Sequence, residues 1–187
     1  MEKELIVAIF LGVGLSASCG FRVFVPMLLA SIAARFGYLP VNESFEWLSS
    51  GSAIICFSAA TVVELLAYYI PFVDNLLDAL AMPLAIGAGT LLTASVLPVE
   101  ENMLKWVLAL IVGGSTASIF QGATSVSRLS SSQFTAGFGN PVIATGENAV
   151  ALGLPLLVIA FPLALGSVIL LVMIWLLRRL FIKKKKY

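Results

Sequence analysis

The sequence predicts an all-α integral membrane protein, with about six transmembrane helices arranged as a 3+3 inverted repeat with broken or re-entrant helices. Three observations predict it. Of 187 residues, 60% are hydrophobic and only 11% charged, where a soluble domain carries about 25% charged residues. Mean hydropathy is +1.04, and a soluble chain this short has no core large enough to hide so much apolar surface. The apolar residues gather in runs long enough to cross a hydrocarbon layer, and short motifs recur between the two halves. One transmembrane domain over residues 1–187 is expected, with repeat halves 1–99 and 100–182 and a basic tail at 178–187.

The first span is expected from Leu5 to Ala34, interrupted by Gly20-Phe21-Arg22 and by Pro26. Its start, Met1-Glu2-Lys3-Glu4, lacks the basic region and cleavage site of a secretory signal, so it reads as retained. The second span covers Ser52 to Ile70, and the third Leu76 to Leu97 with Pro83 inside. The fourth covers Leu104 to Val126. The fifth, Val142 to Ala160, is interrupted by Gly153 and Pro155, which leaves a five-span reading open. The sixth runs from Pro162 to Ile182.

Orientation follows from the basic residues. Arg178, Arg179 and Lys183 to Lys186 cluster at the end, and positive charge accumulates on the cytoplasmic side. The C-terminus is therefore expected in the cytoplasm, in the inner (plasma) membrane, with the N-terminus on the same side if six spans cross. The loop from Gly37 to Ser50 and the Glu100-Glu101 turn then face outward. Tyr38, Trp47 and Trp106 are expected at the outer interface and Trp175 at the inner one.

The repeat rests on two correspondences. Gly14-Leu-Ser-Ala-Ser18 is similar to Gly114-Ser-Thr-Ala-Ser118, and Ala60-Thr61-Val-Val-Glu64 to Ala144-Thr145-Gly-Glu147. Opposed halves of three spans are the build of many secondary transporters.

Composition narrows the function classes. Net charge is +1, which suggests no nucleic-acid partner, and the absence of histidine removes the commonest proton shuttle and metal ligand. Cys19 and Cys56 lie in apolar runs and read as small buried filler. No catalytic triad, HExxH, phosphate loop or zinc spacing is present, so the chain is not read as an enzyme and no cofactor is expected. Whether a metal binds is left open.

Charges inside a bilayer are costly, and each is a candidate site. Arg22 lies at the expected helix break, where free backbone groups beside a guanidinium suit an anion or carboxylate; a structural ion pair or a snorkelling side chain is the blander account. Glu64 and Glu147 either bind a cation or carry protons, or pair with Arg22 and Arg128 for stability alone. Asp74 and Asp78 are four apart and share one helical face. They are bridged by a cation or proton, or Asp74 caps the third span and Asp78 lies in solvent. The polar stretch from Ser125 through Arg128 to Asn140-Pro141 is either a re-entrant loop at a pore or a cytoplasmic connection.

The set Gly20-Phe21-Arg22 with Pro26, then Glu64, Pro71, Asp74 and Asp78, then Gly137-x-Gly139-Asn140-Pro141 and Glu147 resembles a bacterial membrane family catalogued as domain of unknown function 4126. The resemblance covers nearly the whole chain. In that family's pattern the second half often carries His and Lys before the Arg, and Glu-Asp where this chain has Glu147-Asn148. The family name implies a membrane protein and no activity.

The expected function is therefore a small transporter or channel. It would move an ion or small polar solute through Arg22, Glu64, Asp74, Asp78, Arg128, Asn140 and Glu147, with the lipid bilayer as surroundings and a homodimer as the simplest assembly. The alternative is a non-transporting assembly or lipid-interacting protein whose buried charges are structural pairs.

Overall fold

The computed structural model describes residues 2–135 and 138–183, with side chains described except at 71–76, 78, 79 and 180–183. Among the described residues the regular structure is all helical. The helices are α1 (Glu2–Cys19), α2 (Phe24–Arg35), α3 (Gly51–Ala67), α4 (Pro71–Val96), α5 (Asn102–Ala109), α6 (Ser115–Thr135), α7 (Asn140–Ala160) and α8 (Pro162–Lys183). A 3₁₀ segment, Glu43–Ser49, precedes α3, and a π turn, Leu110–Gly114, joins α5 to α6.

Among the described residues three stretches are long and apolar enough to cross a membrane: Asn102–Thr135, Asn140–Ala160 and Pro162–Arg179. The 3₁₀ segment and α3, bent by 61°, together pass the same test. Several apolar helices thus suggest membrane insertion. The outward faces agree: Ile55, Val62 and Val63 on α3 and Leu171, Val172 and Ile174 on α8 are exposed, a pattern that water penalises and lipid does not.

Helix α1 is the centre. Every residue from Leu11 to Cys19 is buried, as a helix apolar or small on all sides requires. Close approach explains its composition. A methyl on Gly12 would stand 2.9 Å from Thr93 Cγ2 of α4, and across the same seam one on Gly89 of α4 would stand 2.8 Å from Ala117 Cβ and 2.9 Å from Gly113 O. Ser16 Oγ donates to Gly89 O at 2.8 Å, a buried polar group satisfied across that seam.

Contacts along α1 fix the directions. Phe10 meets Gly166, and farther along Gly20 meets Ala117 and Phe120; Thr116 Oγ1 in turn donates to Met173 Sδ at 3.8 Å. Helices α1, α6 and α8 therefore run the same way. Helix α7 runs against them, since Gly14 faces Val158 while Arg22 reaches back to Ala144. The expected first span does not continue. It breaks at Gly20–Val23, and α2 returns, so that Pro40 shares a groove with Lys3, Val7 and Pro98. Asn42 N–H then donates to Ser95 O at 2.8 Å.

Two expectations change as a result. The N-terminal residues lie at the same end as the 37–50 loop, and Arg179 lies at the other end beside Ser127. Lys3 and Arg179 thus lie at opposite ends, not together as a six-span count required. The cause is the break at Arg22, which adds one reversal. The small-residue motifs on α1 and α6 also lie on helices of like direction, whereas the Glu64 and Glu147 helices, α3 and α7, oppose each other.

Three local readings are corrected. The serine-rich stretch after Ser125 is helical to Thr135, and its hydroxyls are accommodated by donating back one turn: Ser127 to Ala123 O at 2.9 Å and Ser130 to Val126 O at 2.8 Å. Helix α4 begins at Pro71 with Ile70 as its N-cap, so Asp74 is not the capping residue. Cys19 is buried as expected, but Cys56 is exposed on the outward face of α3.

Candidate functional site: a buried arginine–glutamate cluster at a helix break

Helix α1 stops because Gly20 and Phe21 turn the chain, their N–H groups donating to Ala17 O and Ser18 O at 3.1 Å. Pro26 is the third residue of α2, where a missing N–H costs nothing. The break leaves the first amides of α2 without partners inside their own helix, and no local side chain caps them. Glu64 supplies the cap from α3. Its Oε1 accepts from Val23 N at 2.7 Å and its Oε2 from Phe24 N at 2.9 Å. A carboxylate on a helix N-terminus meets both the unpaired donors and the positive end of the dipole.

Arg22 is 2% exposed. Its Nε donates to Asn148 Oδ1 at 2.6 Å, and Nη1 donates to Glu147 Oε2 and Phe21 O, both at 2.9 Å. Nη2 reaches Ala144 O at 3.3 Å. Arg128, on α6 and 4% exposed, donates from Nε to Glu147 Oε1 at 3.2 Å and from Nη2 to Glu147 Oε2. One carboxylate thus bridges two guanidiniums. Both guanidinium carbons also lie over the ring of Tyr68, at 3.8 Å for Arg22 and 4.3 Å for Arg128, where the ring's negative face offsets their mutual repulsion.

The phenolic neighbour extends the network. Tyr69 Oη lies 3.2 Å from Thr145 Oγ1 and accepts from Asn148 Nδ2 at 3.3 Å. Four elements therefore converge: the α1–α2 break, the end of α3, the middle of α6 and the second turn of α7. Beside them a mostly apolar cleft between α2, α3 and α4 is lined by Phe24, Glu64, Tyr68, Leu77 and Ala81.

Residues 9–183 match the model of a family described as a domain of unknown function (DUF4126). The chain belongs to that family. No curated protein and no solved structure matches it.

Of the seven residues that stand out in the sequence of this family member, Arg22, Arg128 and Glu147 are in direct contact. Glu64 adjoins them through the backbone of residues 23 and 24. Asn140 opens α7, and its Nδ2 donates to Ser132 Oγ at 3.2 Å, tying α7 to the end of α6. Asp74 and Asp78 fall in the first two turns of α4, and their side chains lie outside the described residues. Among the described residues no group of three acidic or sulfur ligands could hold a metal ion. Sequence reading missed Tyr68, Tyr69 and the pairing role of Asn148. The available signal was spacing: Tyr68 is four residues after Glu64, on the same helical face, and Asn148 is adjacent to Glu147.

Proposed function

We propose that the chain is a small membrane transporter or channel whose substrate is an anion, handled at the break between α1 and α2. The observation that carries this reading is the pair of buried guanidiniums, Arg22 and Arg128, gathered on one carboxylate and one aromatic ring. Charges in a bilayer interior mark ion pathways by default. Both carboxylates, Glu64 and Glu147, accept from amide or guanidinium donors. They sit where an anion would sit, and a cation at either position would face N–H donors and positive charge. This moves the expectation away from cation binding by the glutamates.

The charge distribution supports an orientation. Glu2, Glu4, Glu43, Glu46, Glu100 and Glu101 belong to the N-terminal end, against Lys3, Arg35 and Lys105. The other end carries Arg178 and Arg179, which Lys183 to Lys186 follow in the sequence. The basic end is assigned to the cytoplasm and the acidic end to the outside, with the cluster nearer the cytoplasmic face. Repeat symmetry, if the halves retain any, is carried by the opposed Glu64 and Glu147 helices. A homodimer through the exposed apolar faces of α7 and α8 is the simplest assembly.

A second reading has its own support: both oxygens of Glu64 and both of Glu147 are taken by donors of the chain itself. A saturated network is what a purely structural clasp needs. Purified protein in liposomes separates the two. A panel of small inorganic and organic anions, with cations as controls, is driven across by a concentration gradient. The transport reading expects a saturable anion flux that falls in a folded Arg22→Gln variant. Absence of flux for every solute, with wild-type protein folded in the same vesicles, favours the clasp.

A further inference from the structure

A groove runs between α6 and α8 toward the basic end, lined by residues other than those of the arginine–glutamate cluster. Ser118, Gly122, Val126, Ser127, Leu176 and Arg179 line it, and from Ser118 to Ser127 it follows α6 for about 14 Å. Its floor is apolar and small. Gly122 lines it without a side chain, and among the described residues a methyl added there would meet Met82 Cε at 3.9 Å. The glycines at 20 and 89, by contrast, are required by close helix contacts.

The mouth of the groove is cationic. Arg179 lines it, with its guanidinium carbon 5.2 Å from the Trp175 ring centre. Arg178 is adjacent in sequence, and Lys183 to Lys186 follow. Among the described residues no acidic side chain lines the groove. Apolar floor and basic mouth are complementary to a molecule with an acyl chain and an anionic headgroup. Arginine matches phosphate oxygens in geometry as well as charge.

We propose that this groove seats one acyl chain of an anionic phospholipid, with the lipid phosphate at Arg179. The site is independent of the transport reading.

The test is native mass spectrometry of the full chain in detergent, titrated with phosphatidylglycerol or phosphatidylcholine. Wild type is expected to retain one phosphatidylglycerol in preference to phosphatidylcholine. Arg179→Gln should weaken phosphatidylglycerol binding about fivefold, from about 1 kcal/mol per basic group, and leave phosphatidylcholine unchanged. Gly122→Leu fills the floor and should weaken both lipids while the basic residues remain. Equal retention by Gly122→Leu and wild type would overturn the groove and leave only surface adsorption by the basic tail. Equal binding of the two lipids by wild type would overturn the headgroup assignment. Should Gly122→Leu not fold, a phosphatidylglycerol carrying a photoreactive acyl chain decides on the wild type. Crosslinks on α6 and α8 around residues 118–127 and 176 support the site, and crosslinks elsewhere alone refute it.

Discussion

Replacing Glu147 by Gln removes one charge and almost no volume, so its cost reads the electrostatics of the cluster. Glu147 is the shared partner of Arg22 at 2.9 Å and of Arg128. Taking away one partner of a buried ion pair costs about 3–5 kcal/mol, because the remaining charge is left in a poor solvent. Here two guanidiniums would be left repelling each other across one ring. Part of the loss is cushioned, since Arg22 keeps Asn148 Oδ1 at 2.6 Å and the carbonyl of Phe21 at 2.9 Å. The lower end, about 3 kcal/mol, is therefore expected, which corresponds to about 6–12 °C in melting temperature for a chain of this size. Thermal unfolding in a fixed detergent measures it. Combining Glu147→Gln with Arg22→Met, which removes the stranded charge, should recover about 1–3 kcal/mol relative to the sum of the single changes. A Glu147→Gln protein within about 0.5 kcal/mol of wild type would refute the reasoning, because the guanidiniums would then not depend on that carboxylate.

Other outcomes follow from the same geometry. Glu64→Ala uncaps α2 and leaves two buried amides unpaired, at about 1–3 kcal/mol each; hydrogen exchange at Val23 and Phe24 should accelerate, and unchanged protection there would contradict the cap. Tyr68→Phe keeps the ring under both guanidiniums and should cost less than Tyr68→Leu, which removes the ring and with it about 1–2 kcal/mol in thermal unfolding. Equal losses in the two variants would assign the effect to the hydroxyl instead. Gly20→Ala forces a methyl against Phe120 and should destabilise by about 1–3 kcal/mol, while Gly87→Ala, which meets nothing within 4 Å, should be neutral or stabilising. The pair is compared by midpoint shifts in the same detergent.

Much of this was legible from residue types alone. Composition identified a membrane helical protein, and Gly20, Arg22 and Pro26 marked the break because each residue disfavours an unbroken lipid-facing helix for a different reason. Arg22, Arg128, Glu64 and Glu147 stood out because charge is rare in this chain. Direction was not legible. A break in a helix can kink it or reverse it, and only packing, Gly20 against Phe120 and Pro40 beside Lys3, decides that α2 turns back. The serine-rich end of α6 misled for a related reason: serine hydroxyls satisfy loop and helix backbones alike, and the inward pairing of Arg128 settles the choice. Tyr68 escaped notice because a tyrosine near a helix end is ordinary in a membrane chain until two arginines are placed on it.

The most direct test of the central claim is a current measurement on solid-supported membranes bearing wild-type protein, with Arg22→Gln alongside. The account predicts a saturable current whose sign reports anion movement down an applied gradient, unchanged when the cation is exchanged, and lost in Arg22→Gln protein that still folds. A current that follows the cation, or an anion current equal in both proteins, would contradict it.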